Sequence, residues 1–184
     1  ARAVGLTPIK INTVVQRGVN DHTVLDLIER FRGTGVIVRL IEFMDVGNRN
    51  QWDESLVVPS AELAARIHAR WPLAPLPANY SGEVAERRAF ADGSGEIGFI
   101  SSVSRPFCGA CSRARLASDG KLYTCLFASV GIDLRTPLRQ GASDEELVTL
   151  LRGIWENRRD RYSEQRAELR SRPEHKVEMF HVGG

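Results

Sequence analysis

Two strand-like runs, "PIKINTVV" (8–15) and "VIVRLIEF" (36–43), stand on either side of one helical stripe, and that order leaves the chain few ways to fold. In the first run Ile9, Ile11, Thr13 and Val15 fall on one face and Lys10, Asn12 and Val14 on the other, the two-residue period of a strand. The second run is mostly apolar. Its two charges, Arg39 and Glu42, must point to opposite sides because successive strand side chains alternate. Between the runs, "HTVLDLIERFRGTG" carries apolar residues at 24, 25, 27, 28 and 31 and stops at Gly33 and Gly35, as a helix does. Asn20 or Asp21 is placed to cap it. Parallel strands need a crossover and cannot share a tight hairpin, so strand, helix, strand predicts a parallel pair.

Beyond this unit, "MDVGNRNQWDES" reads as a polar loop, and Pro59-Ser60 opens a helix, "AELAARIHARW", that ends in the proline-rich "PLAPLPANY". "VAERRAFA" and "EIGFIS" around "GSG" predict a β-hairpin. Ser143 and Glu146 have the spacing of a capping box and start a helix expected to run through "LVTLLRGIWENRRDRY". The expected fold class is α/β followed by α+β, divided near 72–82. The 184 residues, 42% hydrophobic, suffice for one cored domain, or one and part of another. The chain opens without Met and almost directly into a strand, so an upstream portion is expected. No run approaches the roughly 18 apolar residues of a membrane span, and no signal peptide is visible. The net charge of +2 is too small to argue a nucleic-acid partner.

All three cysteines lie in "FCGACSRARLASDGKLYTCLFA" (107–128): Cys108, Cys111 and Cys125. An odd, clustered set fits a reducing cytoplasm better than a secreted disulfide framework. Cys-x-x-Cys puts two thiolates on one turn, and Ser-Asp-Gly between two alternating runs predicts a hairpin that carries Cys125 back toward them. Structural zinc wants four ligands, so zinc would need a histidine such as His175 or His181, and neither has the spacing of a zinc module. A four-iron cluster accepts three thiolates and keeps one iron open as a Lewis acid. Zinc, iron–sulfur and unliganded thiols all remain open on spacing. Arg113 and Arg115, two apart on an expected strand, would share a face and could hold phosphate oxygens in bidentate fashion. A solvated strand face is the ordinary alternative.

These residues resemble a known family. "IKINTVVQRGVND", "RLIEFMDVGN", "FCGACSRARLASDGKLYTCLFA", "IWENRRDRY" and the terminal "GG" are similar, in order, to the C-terminal half of the GTP 3′,8-cyclases, radical S-adenosylmethionine enzymes that begin molybdenum cofactor biosynthesis. The resemblance implies the end of an incomplete, TIM-like (βα) barrel over 1–72 and an iron–sulfur and GTP-binding α+β region over 73–184. In that family a first [4Fe–4S] cluster on Cys-x3-Cys-x2-Cys cleaves S-adenosylmethionine, and the radical takes hydrogen from C3′ of GTP so that the carbon radical adds to C8. A second cluster binds the purine, and the product, 3′,8-cyclo-7,8-dihydro-GTP, passes to cyclic pyranopterin monophosphate synthase.

Carried over by position, Cys108, Cys111 and Cys125 would hold the second cluster. Lys10, Arg113, Ala114 and Arg115 would hold GTP, and Met44 would contact S-adenosylmethionine. Met44 would then lie at the C-terminal end of a barrel strand, where such barrels keep their active sites, although methionine is more often a core filler. Arg39 and Asn12 could join Lys10. Trp155, Tyr162 and their arginine neighbours are expected on a packed helix with a charged outer face. Gly183-Gly184 would reach toward the active site, or else be an ordinary frayed end. The chain has no Cys-x3-Cys-x2-Cys, so on its own it is expected to be inactive. A homodimer is left open. The alternative reading is a zinc-stabilised, non-enzymatic module that binds nucleic acid through its arginines.

Overall fold

A computed structural model describes residues 1–169 and 177–182, which divide into two units. The first comprises Ala1–Met44 with Trp52–Ala110, and the second Asp45–Gln51 with the described residues from Cys111 onward.

In the first unit the chain runs β1 (Lys10–Val15), α1 (Val24–Phe31), β2 (Ile37–Glu42), α2 (Ser60–Arg70), β3 (Leu73–Pro75), β4 (Glu86–Phe90) and β5 (Glu96–Ile100). The five strands form one sheet in the order β1-β2-β5-β4-β3. β1 pairs parallel with β2, as the crossover helix requires, with Asn12 opposite Arg39. β2 pairs parallel with β5, whereas β5, β4 and β3 pair antiparallel, so the sheet is mixed. The expected hairpin is β4–β5, closed by the Phe90 amide on the Gly95 carbonyl at 2.9 Å.

One face of this sheet is buried. Val15, Val38, Leu40, Ile97 and Phe99 pack with Val24 and Ile28 from α1 and Leu63 and Ile67 from α2. The i, i+4 spacing on each helix presents one apolar stripe to the sheet, and each such side chain stabilises by roughly 1.5–3 kcal/mol on full burial. On the opposite face Lys10, Asn12 and Val14 are exposed. Arg39 lies on that open face, half-buried, over Gly98. A β-carbon at Gly98 would sit 3.2 Å from Arg39 Cγ, so glycine there makes room for the arginine.

The α1 cap differs from expectation. Neither Asn20 nor Asp21 caps the helix; they close the preceding turn instead. Asn20 accepts from the Gln16 amide at 2.8 Å and donates to the Val14 carbonyl at 2.9 Å, while Asp21 accepts from the Gly18 amide at 2.8 Å. Short polar side chains satisfy turn and cap donors by the same chemistry, and here the turn wins.

The second unit holds β6 (Arg115–Leu116), β7 (Lys121–Tyr123) and β8 (Ile132–Asp133), an antiparallel sheet in that order. Among the described residues three α-helices follow: α3 (Arg135–Arg139), α4 (Asp144–Glu156) and α5 (Arg166–Leu169). The Ser-Asp-Gly turn joins β6 to β7. Its Gly120 has φ +82°, and a β-carbon there would lie 2.6 Å from that of Arg135, so glycine is required twice over. Ala117 and Tyr123 form a small core with Ala128 and Val177.

The capping box at the head of α4 is present in both directions: Ser143 accepts the Glu146 amide, and Glu146 accepts the Ser143 amide. The far end of α4 corrects the sequence reading. The helix stops at Glu156 rather than running to Tyr162, because the Asn157 amide group donates to the Gly153 carbonyl at 2.8 Å and the following residues turn toward partners elsewhere in the unit. Among the described residues no helix is long and apolar enough to cross a membrane.

Candidate functional site

Cys111 and Cys125 stand just past the open end of the β6–β7 ladder. Arg115 faces Tyr123 and Leu116 faces Leu122, and this register, extended, brings residue 113 opposite Cys125. Arg113 itself precedes the two-residue strand. Its guanidinium donates to Cys111 Sγ from Nε at 3.2 Å and from Nη2 at 3.1 Å. Burial pushes the Cys111 thiol up, but the Arg113 bonds and charge, helped by Arg158, hold it below the ordinary thiol range. The same bonds favour the thiolate, the form that binds metal.

Arg115 is half-buried. Burial depresses its guanidinium first and the Arg113 charge depresses it further, while Cys125 and Cys111 act the other way. Two neighbouring guanidiniums, one partly desolvated, repel each other and favour any anion that settles between them. Ala114 between them is exposed.

The second unit thus brings together Cys111, Arg113, Ala114, Arg115 and Cys125. Lys10, Met44 and Cys108 belong to the first unit. Cys108 opens a single 3₁₀ turn, Cys108–Ala110, and is half-buried. All three cysteines are outside disulfides. Among the described residues no three or more His, Cys, Asp or Glu side chains are gathered as a metal group. His181 stands at the hairpin turn, 3.6 Å from Asp119 and edge-on to Tyr123. His175 and Gly183-Gly184 lie outside the described residues. Lys10 projects from the open sheet face shared by Asn12 and Arg39, and Met44 is half-buried just past β2.

Sequence reasoning passed over three charged groups that organise these segments. Glu42, fully buried at the end of β2, accepts from the Ser60 amide at 2.7 Å and from the Val103 and Ser104 amides at 2.8 Å each. It fixes the turn four residues before Cys108. Asp45, also buried, accepts from Arg166 Nε at 2.9 Å and from the Tyr162 hydroxyl at 2.5 Å. The Tyr162 ring stacks on Phe127 with centroids 4.3 Å apart, two residues beyond Cys125. Arg158 and Asp160 form the third group, and they reach the cysteine segment itself. A charge inside an apolar run was the one visible signal for Glu42. Nothing local marks the others.

The chain is similar to known proteins over its whole length. Residues 36–164 match the family described as Molybdenum Cofactor Synthesis C. Over 184 residues the chain is 60% identical to a GTP 3′,8-cyclase of Xanthomonas campestris pv. campestris, covering all of this chain and 53% of the relative. It is 48% identical over 188 residues to a GTP 3′,8-cyclase of a Synechococcus species, covering all of this chain and 53% of that protein. Against a GTP 3′,8-cyclase of Acidothermus cellulolyticus it is 49% identical over 171 residues, 91% of this chain and 47% of the relative. The chain spans about half the length of the curated relatives it matches.

Proposed function

The chain belongs to the Molybdenum Cofactor Synthesis C family, and from that premise we propose that it supplies the substrate-binding part of a GTP 3′,8-cyclase. Cys108, Cys111 and Cys125 would hold a [4Fe–4S] cluster, and Lys10 with Arg113, Ala114 and Arg115 would bind GTP. Met44 would contact S-adenosylmethionine at the end of a barrel strand. The parallel run β1-β2-β5 and its open basic face support the barrel reading.

The donor set suits such a cluster in its chemistry. Three cysteines outside disulfides offer thiolates, and Arg113 already favours the anionic form at Cys111. When bound, the cluster would supply an open iron that acts as a Lewis acid toward the purine. The chain's own residues do the rest. Arg113 and Arg115 take phosphate oxygens through paired N–H donors, and Lys10 adds a point charge. A triphosphate carries roughly four negative charges, so these cations would offset most of it wherever water is excluded.

One observation carries the proposal: Arg115 is half-buried beside a second guanidinium, a strain in charge that an anion relieves. The first cluster and the radical step belong, in this reading, to a Cys-x3-Cys-x2-Cys motif that these 184 residues do not include. The chain as it stands should therefore bind GTP without converting it. In the complete enzyme the product would go on to cyclic pyranopterin monophosphate synthase.

The test is anaerobic reconstitution with ferrous iron and sulfide, followed by calorimetry with GTP and with guanosine. About four irons and four sulfides per chain and tighter binding of GTP than of guanosine are expected. Zinc uptake without iron, or equal binding of the two, would overturn the reading.

A further inference from the structure

Past the end of α4, two side chains point back at the cysteine segment. The Arg158 side chain is 11% exposed, and its guanidinium lies 5.1 Å over the Trp155 ring. It donates one N–H to the backbone carbonyl of Cys111 and another, from Nε at 3.2 Å, to Asp160 Oδ2. The same carboxylate oxygen accepts the Thr124 hydroxyl at 2.6 Å. Thr124 immediately precedes Cys125. An unbroken path therefore runs from the Cys111 carbonyl through Arg158, Asp160 and Thr124 to the Cys125 backbone.

We propose that Arg158 and Asp160 are positioning residues that hold Cys111 and Cys125 at a set separation before any metal arrives. Only the identity of what the thiols bind rests on the function proposed above.

The β-ladder cannot do this alone. It has two rungs, ending at Arg115–Tyr123, so Cys111 lies four residues and Cys125 two residues beyond its last pair. Strand ends without further rungs fray and splay. The Arg158–Asp160 couple ties them where pairing has stopped. It grips the Cys111 backbone carbonyl and the hydroxyl of the residue before Cys125, so it acts on the chain that carries the two sulfurs. Arginine suits the place because its planar fork can meet a carbonyl, a carboxylate and an indole face together, which a lysine ammonium cannot. Asp160 neutralises the enclosed charge. Outer partners of this kind usually govern metal affinity about tenfold or more, by fixing the ligands in advance.

The experiment uses the whole chain carrying Cys108→Ser, which leaves two thiols, in metal-free form. Dibromobimane becomes fluorescent when it bridges both, and monobromobimane on the same samples corrects for altered thiol reactivity. Arg158→Lys, Asp160→Ala and Thr124→Val should slow bridging several-fold relative to single alkylation, while Thr124→Ser, which keeps the hydroxyl, should not. Melting curves check folding. Should Asp160→Ala fail to fold, Arg158→Lys and Thr124→Val decide the matter. Equal bridging in the folded variants would overturn the positioning role. Iron reconstitution of the three-cysteine chain tests the other reading separately. No iron uptake alongside variant-dependent bridging sinks the cluster and keeps the clamp. Normal uptake with invariant bridging does the reverse.

Discussion

The buried Glu42 carboxylate takes both the backbone amide and the hydroxyl of Ser104, joining the end of β2 to the turn that leads into Cys108. It also takes the Val103 and Ser60 amides, so one side chain satisfies donors from two segments that no strand pairing reaches. Burial by itself pushes the Glu42 carboxyl up. The bonds from Ser104, Ser60 and Val103 outweigh it and hold the group below its ordinary value of 4.5.

A pH dependence follows from that direction. A carboxyl whose folded value is depressed contributes stability above its unfolded value, and that contribution fades as pH falls through the folded one. The difference in unfolding free energy between the parent chain and Glu42→Gln should be constant at neutral pH and shrink below about pH 4. Glu42→Ala should cost about 3 kcal/mol or more, since each orphaned buried donor costs about 1–3 kcal/mol. Urea titrations across pH 3–7 measure both; a difference that stays constant to the lowest pH would show that Glu42 is not held ionised.

Much of the first unit was legible because its signals are periodic. The alternation in 8–15 and 36–43 separated Lys10 and Arg39 from Val38, Leu40 and Glu42, and β1 and β2 place them so. What escaped was non-local. "WENRRDRY" contains no glycine or proline to stop a helix, so sequence extends α4 through it. The segment leaves the helix because Arg158, Asp160 and Tyr162 find Cys111, Thr124 and Asp45, between 36 and 117 residues away. No window of sequence carries such a pairing. The grouping of Arg113 and Arg115 was legible, but not that Arg113 turns its guanidinium onto a cysteine sulfur.

Cys125→Ser is expected to abolish cluster assembly. Cys-x-x-Cys supplies two thiols, and Cys125 is the only remaining one in the sequence to supply a third ligand. Iron analysis and the absorbance of thiolate-to-iron bands after anaerobic reconstitution check it; unchanged values would assign Cys125 to packing.

The two arginines should not be equivalent. Each is expected to weaken GTP binding more than guanosine binding when changed to Ala, by about 1.5–3 kcal/mol for a charge-assisted contact. Arg115, half-buried, should give the larger loss, because exclusion of water strengthens its contact, whereas Arg113 is exposed. Calorimetry showing equal losses for nucleotide and nucleoside would make both arginines structural.

The last prediction concerns the buried pair at the other end of the second unit. Arg166 and Asp45 are each below one tenth exposed, and their 2.9 Å bond brings the 45–51 segment against α5. The Arg166 guanidinium also lies 5.6 Å from the Phe127 ring centroid, and Phe127 stacks on Tyr162. Asp45→Ala would leave an arginine charge buried without its carboxylate and should cost about 3–5 kcal/mol. Tyr162→Phe removes a single hydrogen bond to the same carboxylate and keeps the stack, so it should cost about 1–2 kcal/mol. Replacing both charges, as Asp45→Leu with Arg166→Met, should recover most of the loss, because two charges taken from water gain little over well-packed apolar side chains. Chemical denaturation of the three variants decides the matter. If the apolar pair is as unstable as Asp45→Ala alone, the bonds rather than the buried charge set the cost. The carboxylate then acts as an acceptor, for Tyr162 above all, that an apolar side chain cannot replace, the same role that Glu42 plays for the turn before Cys108.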